Sequence, residues 1–140
     1  MVRASTIVTS FAATASLIAA AKADNIPACS APPGVQSVAQ LSVTPVALQR
    51  SLRDTVGNIV PAGEPFDATD VTTVGRFRRL IFIWNAGRRW IVATEHGGIA
   101  YNDPIFAYVL SEDGRQATLV ETVEALPNTV CAKATTLIQK

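Results

Sequence analysis

The stretch that decides the fold is Phe77–Glu95, FRRLIFIWNAGRRWIVATE, in which two apolar runs flank a short connection. The runs Phe77–Trp84 and Arg89–Glu95 are rich in β-branched and aromatic residues, which favour strands. Residues 85–87 (Asn-Ala-Gly) fit a three-residue hairpin loop, because glycine readily adopts a positive φ. The segment is therefore predicted to form a β-hairpin.

In the register set by such a loop, Trp84 faces Arg88, and apolar side chains occupy both faces of the hairpin. One face is predicted to carry Leu80, Phe82, Trp84, Trp90 and Val92, and the other Ile81, Ile83 and Ile91. A hairpin that is apolar on both sides requires a packing partner on each side. We expect this hairpin to be the structural centre of the domain.

Upstream of the hairpin, the clearest element is a helix over about Pro45–Val56. Thr44 can cap this helix, and Pro45 suits its first position because the missing N–H of proline would be unpaired there in any case. An apolar stripe follows at helical spacing, formed by Leu48, Leu52 and Val56. Residues 35–43 fit either helical or extended structure, and residues 61–73 fit a surface connection.

Downstream of the hairpin, Ile105–Leu110 and Ala117–Val123 are predicted to be the third and fourth strands, joined by a loop that contains Gly114. Residues 128–139 fit either a fifth strand or a helix. The stripe of that helix would be Val130, Ala134, Leu137 and Ile138. The sequence thus predicts an α+β fold, in which one helix packs on an antiparallel meander of about four strands, followed by a C-terminal helix or a fifth strand.

The first 23 residues have the pattern of a secretory signal peptide. Arg3 supplies a positive charge, residues 4–21 form an uncharged run rich in Ala, Ser and Thr, and residues 21–23 (Ala-Lys-Ala) fit a cleavage site. We predict that residues 1–23 are removed and that residues 24–140 form a single small exported domain, either periplasmic or extracellular.

Three alternatives compete with this interpretation of the N-terminus. An uncleaved membrane anchor would usually carry more Leu, Ile and Phe than this run does. A lipoprotein signal fits poorly, because Lys22 and Asp24 separate Cys29 from the apolar run and Pro27 is unusual at such a site. An ordinary helix is the third alternative.

The charge balance of the processed chain is close to neutral. Loss of residues 1–23 leaves 10 of the 12 Lys and Arg against all 11 Asp and Glu, a net charge of −1. This balance gives no electrostatic basis for binding nucleic acid or an anionic membrane. No second long apolar run follows the first, so we expect no stable membrane insertion of the processed chain.

The two cysteines, Cys29 and Cys131, are expected to form one disulfide in an oxidising compartment. Redox catalysis favours closely spaced pairs such as C-x-x-C. Two distant cysteines and a single histidine also form no metal-ligand cluster. We therefore expect a structural disulfide, no metal ion and no organic cofactor.

The most suggestive string for chemistry is Glu-His-Gly-Gly at residues 95–98. His-Gly-Gly occurs in the oxyanion loops of lipases and esterases, where glycine amides bind developing negative charge. The accompanying G-x-S-x-G motif is absent from this sequence, and a strand end followed by a glycine turn is the simpler interpretation. The catalytic candidates are His96, Glu95, Asp103 and Tyr101. With Tyr108, they could line a polar pocket at one end of the sheet.

Arginines beside aromatic residues form a second candidate site. They are Arg76, Arg78, Arg79, Arg88 and Arg89. Such arginines can bind phosphates, carboxylates or stacked rings. Strand alternation sends Arg78 and Arg79 to opposite faces, however, so we favour arginines that stack on the tryptophans or pair with Glu95, Asp70 and Glu121.

Two classes of function fit these observations. The leading hypothesis is a small, non-catalytic, disulfide-stapled module that binds an unidentified protein or small ligand outside the cytosol. The alternative is a small hydrolase-type or isomerase-type enzyme that uses His96 with a nearby carboxylate or tyrosine. The position of His96, either in a cleft or at a turn, bears on this choice.

Overall fold

A computed structural model of the chain describes residues 28–66, 78–98 and 101–140. The predicted signal peptide at residues 1–23 lies outside these ranges, as do Asp70 and Arg76. In the described part, no helix has the length and apolar character needed to cross a lipid bilayer.

One five-stranded antiparallel sheet forms the centre of the described structure. Its strands, in both chain order and spatial order, are β1 (Gln36–Val38), β2 (Arg78–Ala86), β3 (Arg89–His96), β4 (Ile105–Leu110) and β5 (Ala117–Val123). The helices are α1 (Val46–Val56) and α2 (Val130–Ile138), with a short 3-10 helix at Leu41–Val43. The α+β prediction is confirmed. The fifth strand comes from residues 36–38, and the C-terminal segment is a helix.

The turn between β2 and β3 is one residue shorter than predicted. Trp84 pairs with Ile91 and Ala86 pairs with Arg89, so the turn consists of Gly87 and the next residue only. Gly87 has a φ of +62°, and the first position of a type II′ hairpin turn requires such a conformation. A turn of this type matches the right-handed twist of the flanking strands.

The two helices cover opposite faces of the sheet, which we call the α1 face and the α2 face. The buried core of the α1 face consists of Leu48, Leu52, Leu80, Ile83, Trp90, Val92, Phe106, Tyr108 and Leu110. The buried core of the α2 face consists of Phe82, Trp84, Ile91, Ala93, Ile105, Ala107, Ala125, Val130, Ala134, Leu137 and Ile138. The central hairpin is therefore packed on both sides, as its sequence indicates.

The predicted distribution of side chains over these two faces is wrong. Trp84 belongs to the α2 face and Trp90 to the α1 face. The different turn is one cause: Trp84 pairs with Ile91 instead of Arg88, and moving the pairing by an odd number of residues exchanges the two faces of a strand. A β-bulge between Leu80 and Phe82 is the other, because the extra residue interrupts the alternation along β2.

Helix α1 begins one residue later than predicted and lacks the expected cap. The Thr44 hydroxyl donates a hydrogen bond to the carbonyl oxygen of Leu41 at 2.7 Å, which closes the 3-10 helix. Pro45 takes the N-cap position without a side-chain hydrogen bond. The Gln49 side chain instead ties the helix start to the preceding segment, because its amide donates to the Thr44 carbonyl at 2.7 Å.

A disulfide joins Cys29 to Cys131, across a sequence separation of 102 residues. The Cα atoms of the two cysteines lie 5.3 Å apart, well within the range of protein disulfides. Both cysteines pack against the α2-face core. The bond therefore fastens the arm before β1 to the first turn of α2.

Candidate functional site

Polar side chains collect at the end of the sheet where β2 begins and β3 ends. Arg78 is the cross-strand partner of His96, and Arg79 is the partner of Glu95. His96 also forms an isolated antiparallel bridge with Asn102, which leads into β4. Because cross-strand partners share a face, this end of the sheet carries two separate polar groups, one on each face.

Glu95 is the centre of the polar group on the α2 face. Its residue surface is only 2% exposed, and both carboxylate oxygens have partners. The Arg79 guanidinium donates to Oε2 from Nε at 2.9 Å and from Nη2 at 2.5 Å. The Tyr101 hydroxyl donates to Oε1 at 2.5 Å. Arg79 also lies over the Phe66 ring, 4.4 Å from its centroid.

These contacts favour a structural role for Glu95. A buried charge is stabilised only when a counter-ion and hydrogen bonds satisfy it, and Glu95 has both. A general base needs a lone pair directed at the substrate. Here the ion pair and the tyrosine bond engage both carboxylate oxygens.

Asp103 lies close to this group and is fully buried. Its backbone N–H donates to the Ala125 carbonyl at 2.9 Å. Neither carboxylate oxygen has a hydrogen-bond partner within the described residues. Burial, and secondarily the negative charge of Glu95, raises the pKa of Asp103 from 3.8 to about 6.

The raised pKa predicts that Asp103 lowers the stability of the protein at neutral pH. The folded state binds the Asp103 proton more tightly than the unfolded state does. Protonation of Asp103 therefore stabilises the fold fully below pH 3.8, and this stabilisation is lost as the pH rises through about 6. From pH 4 to pH 7.5, this carboxyl should reduce the free energy of unfolding by up to about 3 kcal/mol. Urea denaturation at a series of pH values measures the change.

The matched variant for that measurement is Asp103→Asn, which cannot ionise. The difference in pH dependence between the two proteins isolates the contribution of Asp103 from that of His96, whose lowered pKa acts in the opposite direction. Equal slopes for the wild type and Asp103→Asn between pH 4 and 7.5 would contradict the prediction.

His96 belongs to the second polar group, on the α1 face. It lies four residues beyond Val92, a member of the α1-face core, and two beyond the buried Thr94. Its partner Arg78 lies over the Phe106 ring, 5.9 Å from the centroid. Burial and the positive charge of Arg78 lower the pKa of His96, although Glu124 acts in the opposite direction.

The remaining sequence candidates are dispersed. Tyr108 is buried in the α1-face core, where it pairs with Trp90 and Leu119. Arg89 donates from Nε to the Leu137 carbonyl at 2.7 Å and so holds the end of α2. Arg88 is exposed in the turn between β2 and β3. The structure thus brings Glu95 and Tyr101 together, places Asp103 near them, and puts His96 on the opposite face.

Asn102 is a member of the α1-face group that the sequence did not indicate. An asparagine before Asp-Pro is typical of a turn, but here Asn102 forms a β-bridge. Its bridge with His96 makes Arg78, His96 and Asn102 a row across three adjacent segments of the sheet. Only the strand register could have revealed that row.

Four other concave regions among the described residues are lined by none of these candidates. A cleft of about 150 Å³ lies against α1 and is lined in part by Gln49, Arg53 and Asn58. Its volume falls below the range usual for small-molecule sites, and the three larger clefts, of about 310 to 390 Å³, contain no residue of the two polar groups at the end of the sheet. Within the described ranges, no group of three or more His, Cys, Asp or Glu side chains could hold a metal ion.

Comparison of the chain with protein-family models, with curated proteins and with solved structures gave no match. The two polar groups at the end of the sheet are therefore the features that bear on function.

Proposed function

We propose that this chain is a small exported domain that acts by binding a ligand or partner rather than by catalysis. Its processed form comprises residues 24–140, and the compartment is periplasmic or extracellular. The Cys29–Cys131 disulfide supports export, since such bonds persist in oxidising compartments. The signal-peptide pattern of residues 1–23 supports it independently.

The binding proposal rests on one observation, that both oxygens of the Glu95 carboxylate are engaged by Arg79 and Tyr101. The enzyme alternative pairs the His96 imidazole with a nearby carboxylate or tyrosine. The carboxylate next to His96 in sequence points to the other face of the sheet, where Arg79 and Tyr101 bind it. An arrangement of this kind stabilises the fold and leaves the face of His96 available for recognition.

Export is tested by N-terminal sequencing of the protein recovered from the periplasm or the medium. The sequence is expected to begin at or near Asp24, because residues 21–23 form the cleavage pattern. Recovery of the intact Met1 product from the cytosol would contradict export.

The binding and enzyme hypotheses are distinguished by expressing the Asp103→Asn variant in a strain that lacks the wild-type protein. The enzyme alternative has one specific observation in its favour, the pKa of about 6 at Asp103, which suits a general acid or base near neutral pH. If the protein binds only, Asp103→Asn should restore the biological activity fully. If Asp103 is catalytic, a folded variant should lose activity by about 100-fold or more.

Val46→Ala, at an exposed position on α1, serves as the control for expression and export. Full complementation by Val46→Ala with failure of a well-folded Asp103→Asn protein would overturn the binding proposal.

A further inference from the structure

We propose that Arg78, His96 and Asn102 form a binding site for a small oxyanion, either a phosphate or a carboxylate. The inference rests on the proposed binding function and assigns that function a place and a ligand chemistry. The three residues lie in one row on the α1 face, and each is partly exposed.

Unsatisfied hydrogen-bonding groups carry the proposal. Nη1 of Arg78 and Oδ1 of Asn102 are both buried atoms without a hydrogen-bond partner in the described part of the chain. Native proteins rarely leave buried polar atoms unpaired, so such atoms indicate a missing partner. The Arg78 nitrogen lacks an acceptor, which an oxyanion would supply, whereas the Asn102 oxygen lacks a donor, which in this orientation of the amide only a ligand with a hydroxyl would supply.

Arg78 and the adjacent Arg79 differ in whether they have an ion-pair partner. Arg79 on the α2 face has an ion-pair partner in Glu95 and a ring beneath it. Arg78 on the α1 face has a ring beneath it, that of Phe106, but no ion pair within 4.0 Å among the described residues. The negative charge of Glu124 acts on Arg78 only from beyond ion-pair distance, and an anion on the α1 face would supply a counter-charge in direct contact.

The chemistry of the row matches an oxyanion. A guanidinium presents N–H groups in a planar fork that fits two oxygens of a phosphate or carboxylate. The imidazole adds a donor, and the Asn102 carboxamide presents its NH₂ group after a half-turn about its terminal torsion. A phosphate that carries a hydroxyl can instead donate to Oδ1 of Asn102.

The charged groups around His96 make its titration a sensor for such a ligand. Arg78 on β2 and burial lower the pKa of His96, while Glu124, which follows β5, raises it. Glu124 is exposed, and it forms no ion pair with either residue in the described structure. An anion bound between Arg78 and His96 offsets the repulsion between them, so binding should raise the pKa of His96.

The test follows the imidazole NMR signals of the oxidised protein during titration with inorganic phosphate, with acetate and with chloride at constant ionic strength. Because the sequence contains one histidine, these signals report on His96 alone. We expect a shift that saturates with phosphate or with acetate but not with chloride, together with a higher pKa of His96 in the saturated protein. The oxyanion that binds more tightly identifies the ligand as a phosphate or a carboxylate.

The deciding variant is Arg78→Gln, and the control is Arg88→Gln, which removes an exposed arginine at the opposite end of the same hairpin. Arg78→Gln should weaken binding about tenfold or more, whereas Arg88→Gln should not change it. If Arg78→Gln fails to fold, Arg78→Lys replaces it, because lysine keeps the charge without the planar fork, and its affinity should fall clearly below that of the wild type.

A shift that does not saturate, or that is equal in chloride, would overturn the proposal. So would unchanged affinity in a folded Arg78→Gln or Arg78→Lys protein. Each of these results would leave the binding function itself standing, since that function is judged separately by complementation with Asp103→Asn.

Discussion

Replacing Trp84 by alanine is expected to lower the free energy of unfolding by about 3 to 5 kcal/mol. The Trp84 side chain is fully buried in the α2-face core and stacks on Phe82 with ring centroids 4.4 Å apart. Its removal eliminates a large apolar surface and leaves a cavity that α2 and the sheet cannot fill without moving. Urea denaturation of the oxidised protein measures the loss.

The control for this experiment is Val46→Ala, which shortens a side chain that is 69% exposed and should change the free energy by less than about 0.5 kcal/mol. Trp90→Ala should cost an amount comparable to Trp84→Ala, because Trp90 fills the α1-face core in the same way. If Trp84→Ala left the urea midpoint unchanged, the central position of the hairpin would be refuted.

Removal of the Cys29–Cys131 disulfide is expected to lower the free energy of unfolding by up to about 4 to 5 kcal/mol. The bond closes a loop of 102 residues, and without it the unfolded chain gains the conformational entropy that the closure had removed. The Cys29→Ser, Cys131→Ser double variant should therefore unfold at a lower urea concentration than the oxidised wild type.

Reduced wild-type protein provides the comparison, since it has the same open chain without the substitutions. Reduced wild type and the double variant should have similar stability, and both should lie below the oxidised wild type. Equal stability of all three proteins would mean that the disulfide does not constrain the unfolded state.

The parts of the fold that followed from sequence are those specified by local patterns. Ile105–Leu110 and Ala117–Val123 have the predicted bounds, because each is a short run of strand-forming residues between turn signals. The stripe Val130, Ala134, Leu137 and Ile138 is fully buried in α2, so its helical spacing decided between the two alternatives. Packing against the sheet favoured the helix despite its Val and Thr content.

The parts that did not follow depend on contacts distant in sequence. The strand at Gln36–Val38 is only three residues long and pairs with residues 83–85, so no local periodicity could establish it. The bulge between Leu80 and Phe82 also has no local signal in the sequence. It exchanges the faces of β2 on either side of it. Trp84 and Trp90 lie on different faces because the turn differs from the predicted one and changes the pairing of the two strands.

The candidate site was predictable as a location but not as an arrangement. The sequence grouped Glu95, His96, Tyr101 and Asp103 by proximity, and alternation separated Arg78 from Arg79 correctly. Proximity along the chain could not indicate that Glu95 and His96, which are adjacent on β3, lie on opposite faces of the sheet and have different partners. The burial of Asp103 could not be predicted from the sequence either, because an Asp-Pro pair is usually part of an exposed turn.

The two cores are completed at different points of the chain, and this sets an order in which a chain that emerges N-terminus first can bury them. The α1-face core has all its members once Leu110 has been made, whereas the α2-face core also needs residues up to Ile138. A nascent chain that has reached β4 can bury one side of its sheet while Phe82 and Trp84 stay uncovered on the other. Over that interval the chain is most prone to aggregate, and a chaperone that shields aromatic surface would protect it until α2 docks.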